Sequence, residues 1–168
     1  QFGREYGGVP HDLLSKAVDL GGAHALTHDV KKNDGWQNLG TYNRYQAEEF
    51  GRFVSKLKNT DEPSGDGKML DNTFAMHGSA SSSFHLSRNY PIISAGGKNL
   101  GFNNGRWLKF GKGNEDNQDN AGIVTDAGWR GRIEAEELPL AQLFVTILQR
   151  LGVETDSFAG YTGTLSRV

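Results

Sequence analysis

The chain has no cysteine. Disulfide staples, thiolate metal centres and cysteine nucleophiles are therefore excluded. Proline is scarce, with four in 168 residues. A surplus of one charge is also missing: 18 Lys and Arg stand against 20 Asp and Glu, leaving a net charge of -2. The basic residues are scattered, so nothing in the sequence marks a nucleic-acid partner or a polybasic membrane patch. No apolar run reaches the roughly 20 residues of a membrane span, so no direct membrane insertion is expected. A signal-peptide pattern is absent from the opening Gln1-Phe2-Gly3-Arg4-Glu5. The expectation is a cytosolic chain or one that has lost an N-terminal part.

What the chain has instead is glycine, 23 residues, about twice average usage. Many tight turns and long loops follow, and such loops need neighbours to order them. The length suffices for one domain with a core. Residues 1–168 are read as a single domain or as the C-terminal fragment of a larger α/β domain, because no linker or internal repeat divides them.

Pro10-His11-Asp12-Leu13-Leu14 predicts a short helix, and the stretch from Ala23 to His28 an irregular loop after Gly21-Gly22. Leu39, Tyr42, Gln46, Phe50, Phe53, Val54 and Leu57 recur at helical spacing, which predicts a helix from Asn38 to Lys58. Glu48 and Arg52 form a favourable i,i+4 pair on it. A solvated turn, Asp61 to Gly67, follows. Met69 to Ser79 and Asn89 to Gly97 each contain a short apolar run ending in small residues, which predicts two strands. His77 lies inside the first, as a satisfied core or edge histidine. Gly105 to Phe110 alternates like an exposed strand or hairpin arm. Gly111 to Asn120 reads as a polar loop, and Trp129 beyond it calls for burial or a partner surface. A last helix is expected from Leu138, with Pro139 in its first turn, Glu134, Glu136 and Glu137 at its positive end, and Gly152 as its stop. Its apolar face comprises Leu140, Leu143, Phe144, Ile147, Leu148 and Leu151; Thr146 and Gln149 are assigned to the outer face. The tail from Phe158 to Leu165 is read as irregular, and Trp36, Trp107 and Trp129 as core or interface anchors.

The predicted order of helix, two strands and helix is that of a layered α/β fold with chemistry on the loops after the strands. The loop between the strands holds Ser81, Ser82, Ser83, His85, Arg88 and Asn89. His85, Arg88 and Asn89, with Ser82, offer donors for an anion or a carbonyl group; the alternative is a hydrogen-bond network that orders the loop. His24 and His28 are four apart and, on a helix, would share a face able to bind a divalent metal. On a loop they are two unrelated surface histidines. No Gly-x-Ser-x-Gly elbow surrounds Ser79 to Ser83, and Gly96, Gly97 and Gly101 do not form a dinucleotide fingerprint. No cofactor is expected.

Several segments, taken in order, resemble the C-terminal portion of the domain of unknown function 1552 family, whose members are exported bacterial proteins. They are Asn43-Arg44-Tyr45-Gln46-Ala47-Glu48-Glu49-Phe50; Gly65-Asp66-Gly67-Lys68-Met69-Leu70-Asp71-Asn72; His77-Gly78-Ser79; His85, Asn89 and Pro91; Ala95-Gly96-Gly97; Leu151-Gly152-Val153; Asp156-Ser157-Phe158; and Thr162-Gly163-Thr164-Leu165. The same order more distantly resembles the alkaline phosphatase and sulfatase superfamily. The resemblance implies the C-terminal half of a sulfatase-like layered fold, with helices packed on a short mixed sheet, and an exported location, periplasmic or extracellular. That superfamily binds metal with an Asp-His pair at the end of the first strand. Here Gly78-Ser79-Ala80-Ser81-Ser82 stands in that place, and Ser87 replaces the second histidine usual in the family. The superfamily's nucleophile lies in an N-terminal half that is not in this sequence. The resemblance therefore implies a non-catalytic structural or binding fragment or subunit, partnered by another protein chain or by a missing N-terminal segment. Its alternative is a degenerate metal-dependent phosphate or sulfate ester hydrolase completed by such a half.

Overall fold

The computed structural model describes residues 23–30, 32, 35–79, 90–108, 110 and 138–168. The elements are α1 (Ala23–His28), α2 (Gly35–Asn59), β1 (Phe74–Gly78), β2 (Ile92–Gly96), α3 (Leu140–Arg150), β3 (Ser157–Phe158) and β4 (Tyr161–Thr162), with 3-10 turns at Met69–Asn72 and Lys98–Leu100. The protein is thus of mixed helix and strand, and its backbone divides into two compact units, Gln1–Phe53 and Val54–Val168. No helix among the described residues is long and apolar enough to cross a membrane.

In the first unit, the stretch read as an irregular loop is the helix α1, with Leu26 buried. Glycine-rich flanks weaken the sequence signal, but the six residues from Ala23 to His28 contain neither glycine nor proline. Gly35 opens α2 against this segment: a Cβ there would fall 1.9 Å from the Asp29 carbonyl oxygen. The helix starts three residues before the position that periodicity gives. Its buried stripe runs through Gly35 and Tyr42, with Leu39, Gln46 and Phe50 half-buried. Glu48 is bridged from both sides, by Arg44 at 2.8 Å and by Arg52 at 3.9 Å, and Arg52 also bonds Glu49. Trp36 is 61% exposed and Phe53 51%, so neither is a core anchor.

The second unit begins with the end of α2, where Leu57 is buried. The chain then turns on itself. Glu62 N–H donates to the Gly67 carbonyl at 3.1 Å and Met69 N–H to the Thr60 carbonyl at 3.0 Å. β1 and β2 pair antiparallel, in the register Phe74↔Gly96, Ala75↔Ala95, Met76↔Ser94, His77↔Ile93 and Gly78↔Ile92. The two sheets among the described residues, β1–β2 and β3–β4, are both two-stranded and antiparallel, where a mixed sheet was expected. Gly96 has a φ of +83°, and a Cβ on it would meet the Thr73 carbonyl oxygen at 2.2 Å. The Ala95-Gly96-Gly97 run therefore serves a close backbone crossing, in which Gly97 N–H bonds the Leu70 carbonyl at 2.9 Å.

Phe102 folds back over β1 and stacks on Phe74, ring centroids 3.9 Å apart. The Arg150 guanidinium caps the other partner of that stack, 4.5 Å from the Phe102 centroid. The expected strand at Gly105–Phe110 is not formed by its described residues, which are irregular. Arg106 instead donates to the carbonyls of Asn103 and Arg167, so side-chain bonds to backbone replace a strand ladder.

α3 runs from Leu140 to Arg150, so Pro139 stands at the position before it, with no side-chain cap bond, rather than in its first turn, and the stop at Gly152 is as expected. There Val153 N–H reaches the Leu148 carbonyl and Gly152 N–H the Gln149 carbonyl, both at 3.0 Å, while Gly152 takes a φ of +82°. Those are the paired bonds of a Schellman stop. The buried face is shifted from the predicted one. Val145 is fully buried, Leu143 and Thr146 are buried, Leu148 is half-buried and Leu151 is exposed. Thr146 is thus not an outer-face residue. Its hydroxyl donates to the Gln142 carbonyl and accepts the Leu165 N–H, each at 2.8 Å. The tail is not irregular either. β3 and β4 form a hairpin closed by Ala159 (φ +51°) and Gly160 (φ +82°), and Phe158 packs on Phe144 with centroids 5.0 Å apart.

Candidate functional site

The sequence places its best site on the connection between β1 and β2. The structure shows how that connection is anchored. Antiparallel pairing brings the end of β1 beside the start of β2, where Ser79 N–H donates to the Pro91 carbonyl at 3.2 Å. Gly78 sits here because a Cβ would lie 2.5 Å from the same Pro91 oxygen. β1 and β2 are therefore antiparallel neighbours, and the rule that parallel strands collect ligands at their carboxyl ends does not apply to this pair. Ser82, His85, Arg88 and Asn89 themselves lie outside the described residues, as do Ser81 and Ser83.

The second candidate pair lies on α1. A helical backbone, where a loop was expected, puts positions 24 and 28 one turn apart. His28 is exposed. Among the described residues, no group of three or more histidines, aspartates and glutamates is placed to hold a metal ion. His77, on β1, is half-buried opposite Ile93.

Two polar clusters with no motif in the sequence stand beside the sheet. In one, Asn104 Nδ2 donates to the Gly96 carbonyl at 2.6 Å, and Ser94 Oγ donates to Asn104 Oδ1 at 3.0 Å. In the other, Asn99 Nδ2 donates to Asn72 Oδ1 at 3.0 Å, and Asn72 Nδ2 donates to Glu62 Oε2 at 2.9 Å. Nearby, Lys68 pairs with Asp61, and its hydrogen bond, then its charge, hold that carboxyl below the usual carboxylate range. Asp71 accepts the Lys68 backbone N–H at 3.0 Å, closing the 3-10 turn. These contacts tie the 61–72 turn to the segment after β2. They order backbone and contain no nucleophile paired with a base. The asparagines were the available signal, since their amides both donate and accept.

An open depression of about 460 Å³ at the end of α3 is lined by Gln149, Gly152, Val153, Glu154 and Thr155. Its Gln149 amide is already bonded to the Thr155 carbonyl at 2.6 Å, which leaves a poor binding constellation. No family model, curated protein or solved structure matches the chain.

Proposed function

We propose that this chain is a non-catalytic structural or binding unit of an exported protein, the C-terminal part of a sulfatase-like layered fold, working against another polypeptide. That polypeptide is a partner chain or a preceding segment of a longer protein. The fold family and the exported location rest on the resemblance in the sequence. The observation that carries the partner is the exposure of large apolar groups: Trp107 at 92%, Ile93 at 56% and Met76 at 40%. A two-stranded sheet is marginal by itself, and β1 and β2 carry two of these residues. Ile93 and Met76 stand on opposite faces, as the register requires. A partner laid on this sheet would cover apolar area that the chain itself leaves in water.

Light scattering coupled to size exclusion, with thermal unfolding alongside, tests the proposal on the purified chain. Concentration-dependent association or a broad, weakly cooperative melt is expected. A compact monomer with one sharp transition overturns it. Elemental analysis tests the hydrolase alternative: stoichiometric zinc lost on replacing His85 would establish a metal centre and end the non-catalytic reading.

A further inference from the structure

We draw no further inference here: the strongest candidate, the Arg150 guanidinium at the C-terminal end of α3, stacked on Phe102 with a buried Nη1 that has no hydrogen-bond acceptor, carries nothing because that nitrogen is sealed from solvent and nothing in the structure shows a ligand or a channel that would reach it.

Discussion

Ala159 is the one described non-glycine residue with a positive φ, +51°, and it sits at the first position of the β3–β4 turn. Two consecutive positive φ values are the mark of the hairpin turn that favours Asn-Gly, and an alanine Cβ is crowded there. Ala159→Asn keeps the turn, and its short polar side chain offsets the same Cβ cost by hydrogen-bonding locally. A gain of about 1 kcal/mol is expected, read as a higher urea midpoint with an unchanged slope. An unchanged or lower midpoint would mean that the hairpin is not held in this conformation. Asp61 offers a second test at this scale. Its carboxyl pKa is lowered by Lys68 in the folded chain, so the pair's contribution is present above the unfolded carboxylate value and is lost as pH falls through the folded one. In an NMR titration, Lys68→Gln should move the Asp61 midpoint upward. The same midpoint in both proteins would show that the ion pair does not persist in solution.

At the scale of elements, α3 is the sharpest case. Leu143→Ala should cost roughly 2–5 kcal/mol through the cavity it leaves. Thr146→Ala strands the buried Leu165 N–H and should cost about 1–3 kcal/mol, with Thr146→Ser recovering most of it. Gln149→Ala, exposed, should stay within about 0.5 kcal/mol. Equal losses at Thr146 and Gln149 in chemical denaturation would overturn the observed phase of the helix. That phase was only partly legible in the sequence. Leu143 announced itself as apolar at helical spacing, and Gly152 as a stop, because both follow from local rules. Val145 and Thr146 did not, because burial there depends on parts of the chain distant in sequence: the Leu165 N–H that Thr146 meets comes from 19 residues away. α2, β1 and β2 were legible for the same local reasons. The antiparallel pairing was not, since two short apolar runs read alike in either direction. The β3–β4 hairpin was hidden by strands of two residues and by an alanine where asparagine would have signalled the turn. Of the candidate site, only its anchoring at Ser79 and Pro91 meets the described residues, and Gly78 and Gly96, where a Cβ would collide with backbone, mark backbone crossings.

For the whole molecule, the decisive contrast is between stability and association. Trp107 and Ile93 contribute little to the fold's own burial, whereas Leu143, Val145, Ala75 and Phe102 form its interior. If the exposed apolar residues meet another polypeptide, substituting them should separate the two properties. Trp107→Ser and Ile93→Thr each remove apolar surface from water-facing positions, and threonine keeps the β-branching suited to β2. Each variant should melt within about 0.5 kcal/mol of the parent, as surface substitutions do. Together they should abolish or markedly reduce the concentration-dependent association expected in light scattering. Leu143→Ala is the opposite control: it should lower the melting temperature and leave the apolar contact surface in place. Undiminished association in the Trp107→Ser, Ile93→Thr double variant would sink the proposal that these side chains face a partner. A large loss of stability in it would mean that the two residues are buried in the folded chain, and that the fold itself is what covers them.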